Sequence, residues 1–436
     1  MNSYIKEFKE RTKKRKINIA VVGLGYVGLP LAVEFAKKGF SVTGIDVDSG
    51  RVEGINKKKS YITDISNKDL KEIISRGKFC AENNFFPLRA ADAVFVCVPT
   101  PLRRKYHPDI SFIKCAVKEI ARNIKKGALV VIESTTYPGT TEEVILPMLE
   151  TGGREHGKSF YLCFSPERVD PGNKKFLFRE IPKVIGGINA DAAALGRIIY
   201  ETVFDRVVTV SSTRIAEATK LLENTFRIVN IGLIDEMAMM AHKMGMDIWE
   251  IIAAASTKPF GFMPFYPGPG VGGHCIPKDP LYLYWKARHY GFKSRFIKLA
   301  SDTINQMPAY VVSRIRNLLA HNKKDIKKCS VLILGVTYKR DVKDLRKSPA
   351  LDIIGILQKE GIRVSYYDPL IPYLKFGEIN LKAAGLNSSR LKKFDCVVVA
   401  TDHSSFDYRM ILKNSRLILD TRNAYKDIKD RKVFKL

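Results

Sequence analysis

Residues 17–28 read INIAVVGLGYVG, and this stretch decides the fold. Ile17–Val22 is a short apolar run rich in β-branched residues, the composition of a buried strand. It leads directly into Gly23, Gly25 and Gly28, a GxGxxG turn. Tyr26–Lys38 then carries helical spacing and stops at Gly39, and Phe40–Asp46 (FSVTGID) reads as a second strand ending in an acid. GxGxxG alone is a weak signal. Between a strand and a helix, with a carboxylate roughly twenty residues on, it is the full dinucleotide-binding fingerprint. The glycines allow a tight turn and close approach of a pyrophosphate, whose charge the helix N-terminus favours. Asp46 would accept hydrogen bonds from a ribose 2′-OH and repel a 2′-phosphate, which favours NAD over NADP. Arg51, close by in sequence, works against that preference.

The pattern continues outward. Ala91–Val98 (ADAVFVCV) and Leu129–Glu133 (LVVIE) read as buried strands, leading into the turns Pro99–Pro101 and Ser134–Gly139. Tyr161–Phe164 delivers Ser165–Gly172 in the same way. In an open α/β sheet the carboxyl ends of the strands line the ligand crevice. Thr100 and Thr135 are therefore candidates for cofactor or substrate contacts, with ordinary turn hydroxyls as the alternative.

From Thr213 to about Gly245 there is no proline, a Thr opens the segment, and Lys and His precede the closing Gly. This predicts one helix, roughly 45–50 Å long at 1.5 Å per residue. It is long enough to link domains and to form an oligomer core. Lys220 and Asn224 share a face of it; Lys suits a solvated face, whereas Asn gains little in mid-helix. The Met-rich end suits packing. A second helical region covers about Pro280–Leu319.

Ser330–Gly335 (SVLILG) begins a new α/β unit, with a helix at Pro349–Lys359 and strands at Arg363–Tyr367 and Asp395–Ala400. Arg416–Asp420 is expected to close it. Its first turn, Gly335–Lys339, lacks GxGxxG, so Lys339 is the candidate phosphate ligand there. The expected architecture is α/β: two Rossmann-like α/β domains joined by a central helical domain with one long helix. The expected divisions are a basic, helical N-terminal tail (1–16), an NAD-binding domain (17–210), the central helical domain (211–322) and a C-terminal α/β domain (323–436).

Between the helical segments lies PGPGVGGHCIPKDP, residues 267–280. So many Gly and Pro residues exclude helix or central strand. Cys275 sits at its centre, followed by Lys278 and Asp279. A thiol that is partly exposed and near positive charge is a nucleophile; a tight turn with an incidental Cys is the alternative.

The chain has 436 residues, too long for one ordinary core. Its 73 Lys+Arg against 45 Asp+Glu give a net charge of +28. No nucleic-acid recognition motif accompanies the scattered lysines, so no nucleic-acid partner is expected, and a polyanionic small substrate is the more useful reading. No apolar run is long enough for membrane insertion, and the first residues lack the apolar core of a signal peptide. The seven cysteines are scattered and form no CxxC pair, which argues against a disulfide framework or a metal site and for a reducing cytoplasm.

Taken together, GLGYVGLP (23–30), EST (133–135), SPERVDPGN (165–173), EATKLLENTFRIVNI (217–231), PGPGVGGHCIPKDP (267–280), GVTYKRDVKDLRKSPA (335–350) and DTRNAY (420–425) carry a specific resemblance. Over essentially its whole length the chain resembles the nucleotide-sugar 6-dehydrogenases of the UDP-glucose/GDP-mannose dehydrogenase superfamily. The resemblance implies a four-electron oxidation of a sugar C6 alcohol to a carboxylate with two NAD. It makes Cys275 the nucleophile, forming a thiohemiacetal and then a thioester. Lys220 becomes the oxyanion stabiliser, Asn224 its companion, Asp279 an acid/base, Glu167 a group near the reacting C6, and Thr135 the holder of the attacking water. It gives Gly23, Gly25, Gly28, Asp46, Arg51, Thr100 and Arg346 to the cofactor, and Tyr266, Gly272, Lys278, Lys339 and Arg422 to a UDP-sugar. A homodimer or higher homo-oligomer through the long helix is expected.

The chain departs from UDP-glucose dehydrogenases at Ile276, where an aromatic is usual, and at Glu167–Gly172 (ERVDPG), which lacks a second glutamate; Arg168 or Asp170 is expected to take over part of its role. These features, with His274, resemble the UDP-N-acetylhexosamine branch. UDP-N-acetylglucosamine is the leading substrate, with UDP-N-acetylmannosamine or UDP-glucose as alternatives. His274 is either a general base or a packing or substrate-contact residue.

Overall fold

Strands β1 (Asn18–Val22), β2 (Ser41–Ile45), β3 (Phe79–Glu82), β4 (Ala93–Val96), β5 (Ala128–Ile132), β6 (Phe160–Phe164), β7 (Lys183–Gly187) and β8 (Val207–Val210) form one sheet. The order in the computed structural model is β3-β2-β1-β4-β5-β6-β7-β8, parallel except where β6 meets β7. That model describes residues 3–62, 65–103, 106–169, 176–321 and 326–436. Alternate residues of β1 feed opposite faces: Ile19 and Val21 join one apolar cluster, Ala20 and Val22 the other. Burial on both faces explains why the strand reads as a continuous apolar run. The helix Gly28–Lys37 follows β1, and Gly39 ends it with φ +91°.

The basic N-terminal stretch is the helix Ser3–Lys13, and it is docked. Ile5 and Phe8 are buried in the sheet's core. Tyr4 stacks on Tyr161 at 5.5 Å, and its hydroxyl donates to the Gly127 carbonyl at 2.5 Å. Arg11 pairs with Asp92 at 2.7 Å.

The chain packs as two compact units, Met1–Glu223 with Trp285–Phe292, and Asn224–Tyr284 with Lys293–Leu436. The long helix is observed at Thr213–Lys243. In the second unit, β9 (Ser330–Leu334), β10 (Arg363–Tyr367), a hairpin of β11 (Tyr373–Phe376) and β12 (Ile379–Lys382), β13 (Cys396–Val399), β14 (Ile418–Asp420) and β15 (Val433–Lys435) follow. The parallel order β10-β9-β13-β14-β15 is a second Rossmann-like sheet. One expectation needs correction here. The strand ending at Asp420 does not close the sheet, because β15 pairs beyond it and Leu436 is buried. The helical region expected at about Pro280–Leu319 is two helices, Asp279–His289 and Arg295–His321, with Gly291 between them at φ +75°. The second of these shares a core with the sheet: Met307, Val311 and Ile315 cluster with Val331, Ile333 and Val398.

Candidate active site

In the first unit the glycine turn leaves the carboxyl end of β1. Gly23 has φ +92°, and a Cβ there would lie 2.8 Å from the Cys97 carbonyl oxygen. A Cβ on Gly28 would lie 1.9 Å from the Gly23 carbonyl oxygen, whereas one on Gly25 would meet nothing within 4 Å. Gly23 and Gly28 thus bring turn and helix together, and Gly25 leaves backbone open to a ligand. This is the cradle a dinucleotide pyrophosphate needs.

Asp46 stands just past β2. Its Oδ2 accepts from Leu24 N at 2.8 Å and its Oδ1 from Asp48 N at 2.9 Å. Arg51 comes within 3.4 Å of the same carboxylate. Thr100 is buried in the turn after β4.

Thr135 is a half-buried residue in a run of buried ones, 128–137, after β5. Lys220 on the long helix donates to its hydroxyl at 2.8 Å. Glu167 follows β6, and its Oε1 accepts from Arg168 N (2.9 Å) and Val169 N (2.7 Å). Lys183 bridges Glu167 (3.0 Å) and Glu133 (2.8 Å), and Tyr200 donates to Glu133. Burial raises the Glu167 carboxyl, but Lys183 and the turn N–H groups outweigh it and hold the carboxyl below its ordinary value. Burial pushes Glu133 up to about 7. Arg168 pairs with Glu223 at 2.7 Å and donates to the Pro182 carbonyl at 2.6 Å. Asp170, the alternative to Arg168, lies outside the described residues.

In the second unit Cys275 is exposed. Its carbonyl accepts from Lys278 N (3.1 Å) and Asp279 N (2.8 Å), so the loop turns directly into the helix Asp279–His289. Asp279 is buried at that N-terminus and accepts from the Asn224 amide at 2.8 Å. Lys278 is buried, with its ammonium 3.0 Å from His274 Nε2 and over the Tyr282 ring. The ammonium can only donate, so His274 Nε2 is the acceptor in that contact. Ile276 packs against Ile228, Ala300 and Ile304.

Gly272 and Gly273 lie against Tyr338: a Cβ on Gly272 would come 2.5 Å from the Tyr338 Cβ. Gly273 N donates to the Arg346 carbonyl at 2.8 Å. Arg346 itself is bidentate on Asp344, Nε donating to Oδ1 at 3.0 Å and Nη2 to Oδ2 at 2.6 Å, and Lys339 is half-buried in the turn after β9. Arg422 donates to the Ala400 carbonyl at 2.9 Å, beside Gly268. Tyr266 is exposed and stacks with Trp249 at 6.0 Å. Trp249, Tyr266, Pro267, Arg422, Asn423 and Lys426 line a cavity of about 510 Å³. Beside it Asp235 accepts from Gly268 N at 3.0 Å, and burial pushes its carboxyl up to about 7.

The sequence reasoning missed Trp249 and Lys426 on the cavity, and Glu133, Lys183, Glu217 and Asp235 as buried charges. Glu133 and Glu217 stood inside quoted motifs, but burial of a single carboxylate has no sequence signature.

Three stretches match domains of one family. Residues 17–204 match the UDP-glucose/GDP-mannose dehydrogenase family NAD binding domain, 214–306 its central domain, and 332–427 its UDP binding domain. The chain is 35% identical over 421 residues to UDP-N-acetyl-D-mannosamine dehydrogenase of Pyrococcus horikoshii, covering 94% of this chain and 96% of the relative. It is 36% identical over 419 residues to UDP-N-acetyl-D-glucosamine 6-dehydrogenase of Pseudomonas aeruginosa, covering 95% and 97%. Among solved structures, a UDP-D-ManNAc dehydrogenase from Pyrococcus horikoshii superposes with a TM-score of 0.86 at 33% identity, covering 96% of this chain and 99% of that one.

Proposed function

The chain belongs to the UDP-glucose/GDP-mannose dehydrogenase family, and from that premise we propose that it is an NAD-dependent UDP-sugar 6-dehydrogenase. Its substrate on this reading is a UDP-N-acetylhexosamine, UDP-N-acetylglucosamine first, and its product the uronic acid for surface polysaccharide. The observation that carries the reading is Cys275: an exposed thiol in a turn packed too closely for side chains at Gly272 and Gly273, beside the buried Asn224–Asp279 pair.

Bound NAD supplies a hydride acceptor for each of the two oxidations. The first turns the C6 alcohol into an aldehyde, with loss of a proton. The Cys275 thiol then adds to the aldehyde carbon, giving a thiohemiacetal, and the second oxidation makes a thioester. Water cleaves the C–S bond, releasing the carboxylate and restoring the thiol. Lys220 stabilises oxyanion character, and Thr135, hydrogen-bonded to it, positions the water; donors of this kind are typically worth a few kcal/mol each. Asn224 holds Asp279, which moves the proton. Glu167, with both oxygens occupied by N–H donors, acts as a fixed negative charge near C6. Gly23, Gly25, Gly28, Asp46, Arg51, Thr100 and Arg346 serve NAD. Tyr266, Gly272, Lys278, Lys339 and Arg422 serve the UDP-sugar, the cations suiting a pyrophosphate.

UDP-N-acetylmannosamine is the second reading, favoured by the names given to the Pyrococcus horikoshii relative and to the Pyrococcus horikoshii structure. The proposed parts are 1–16, 17–210, 211–322 and 323–436, in a cytoplasmic homodimer or higher homo-oligomer. The long helix supports the dimer: it exposes Leu222, Phe226, Leu233 and Met240, spaced as one apolar stripe. No helix among the described residues is long and apolar enough to cross a membrane.

The test is a panel of UDP-hexoses and UDP-N-acetylhexosamines with NAD, read as NADH absorbance. Two NADH per UDP-N-acetylglucosamine is the expected stoichiometry. No NADH from any member of the panel would sink the dehydrogenase reading.

A further inference from the structure

Glu217 lies on the long helix, one turn before Lys220, and is about 1% exposed. No salt bridge to it is found among the described residues. Its carboxylate instead collects four donors from the turn after β5: Gly139 N at 2.5 Å, Thr141 N at 2.9 Å, the Thr141 hydroxyl at 2.7 Å and the Thr136 hydroxyl at 3.3 Å. Gly139 reaches it with φ +95°, a backbone state that side-chain-bearing residues rarely adopt, and a Cβ there would also lie 2.4 Å from Glu143 Oε1. On the other side of Thr135, Ser134 is tied to β4's end by hydrogen bonds to the Val96 (3.2 Å) and Val98 (2.8 Å) carbonyls. Thr135 therefore sits between two anchored segments, and the same helix that carries one anchor, Glu217, also carries its partner, Lys220.

We propose that Glu217 is a positioning residue: it ties the 136–141 turn to the long helix and so holds the Thr135 hydroxyl within hydrogen-bond reach of the Lys220 ammonium. Burying a carboxylate without a cation is costly, and burial pushes this one up to about 7, yet four donors converge on it. A structural turn could be held by backbone bonds alone. A buried acid used here fixes the helix's register against the turn, and only that register places Lys220 on Thr135. The inference rests on the reading above that Thr135 and Lys220 act on the substrate.

The test is a double-mutant cycle on the full chain, assayed with NAD and whichever UDP-sugar is turned over. Glu217→Gln keeps the shape but turns an NH₂ group towards donors, so at least one anchoring bond is lost. It is expected to lower kcat about tenfold while KM for NAD stays within about twofold. Thr141→Val, which keeps the backbone bond, is expected to give a smaller loss in the same direction. Both losses are expected to vanish in a Thr135→Ala background, because the anchor then has nothing to position. Losses of undiminished size in that background overturn the proposal, as does a Glu217→Gln enzyme with wild-type kcat. If Thr135→Ala alone retains wild-type kcat, the assignment of Thr135 itself is wrong and the proposal falls with it. If Glu217→Gln fails to fold, the Thr141→Val pair decides the matter in the same way.

Discussion

Replacing Gly28 by alanine puts a Cβ 1.9 Å from the Gly23 carbonyl oxygen and 3.0 Å from the Cys97 Cβ. A carbon cannot approach an oxygen that closely, so the helix Gly28–Lys37 must back away from β1 by about 1 Å or more. Overpacking of this kind costs about 1–3 kcal/mol. At roughly 2–4 °C per kcal/mol for a unit of this size, Tm falls by about 2–12 °C. Gly25→Ala is the control. A Cβ there meets nothing within 4 Å, and Gly25 is not among the residues with positive φ. Tm should therefore hold or rise slightly, because alanine restricts the unfolded chain. The added methyl instead projects where the pyrophosphate must approach, and NADH affinity is expected to fall at least about tenfold, a cost of about 1.4 kcal/mol. Scanning calorimetry and a fluorescence titration with NADH separate the two effects. A Gly28→Ala protein as stable as wild type refutes the packing argument. A Gly25→Ala protein that binds NADH normally refutes the cradle.

Cys275→Ala is expected to abolish uronate formation while leaving NADH binding within about twofold; steady turnover to the uronate by this variant rules out the covalent route. Glu217 and Asp235 both carry carboxyls raised to about 7 by burial. The folded state therefore takes up protons that the unfolded state does not hold above pH 5, and stability is lost as pH rises through 7. Between pH 8 and pH 6 each should add about 1 kcal/mol on acidification, so Tm at pH 6 should exceed Tm at pH 8, with Asp235→Asn reducing the difference. A flat or opposite pH profile contradicts the burial of these ionised groups. Phe8, on the N-terminal helix, is buried in the sheet's core, so Phe8→Ala should cost about 3–5 kcal/mol; an unchanged Tm would mean that the helix is not docked.

The elements that the sequence made legible are those whose signal is local. Strand, glycine turn, helix and Asp46 lie within one short stretch, and each observed bound falls within about two residues of the expected one. The long helix is legible for the same reason, having a Thr at one end, Gly at the other and no interruption between. The miss involves a pairing that local sequence does not show. Val433–Lys435 is too short to read as a strand until β14 is there to pair with it.

The candidate site divides along the same line. Cys275, Lys220 and Asn224 are residue types whose chemistry or mid-helix position draws attention. Glu133, Lys183 and Glu217 look like ordinary surface charges on the page. Their significance comes from burial, which depends on strands and helices far apart in the chain: Lys183 begins β7 and meets Glu133 at the end of β5 and Glu167 after β6. An isolated carboxylate in such a place would bind a proton and lose its charge; beside Lys183, and with two turn N–H groups on its other oxygen, Glu167 stays ionised. The sequence thus names a glutamate in SPERVD, but only the fold fixes its protonation state. Held ionised below its ordinary value, and with both oxygens taken up by hydrogen bonds, Glu167 is a poor base. The proton taken from the attacking water therefore passes to Asp279 on the proposed route. Asp279→Asn tests this, since it keeps a hydrogen bond to Asn224 possible while removing the proton carrier. Its expected result is a kcat loss of about a hundredfold, with UDP binding unchanged and thioester trapped on Cys275 detectable by intact-protein mass spectrometry. Wild-type turnover by that variant would return the proton to Glu167 and contradict the argument from its hydrogen bonds.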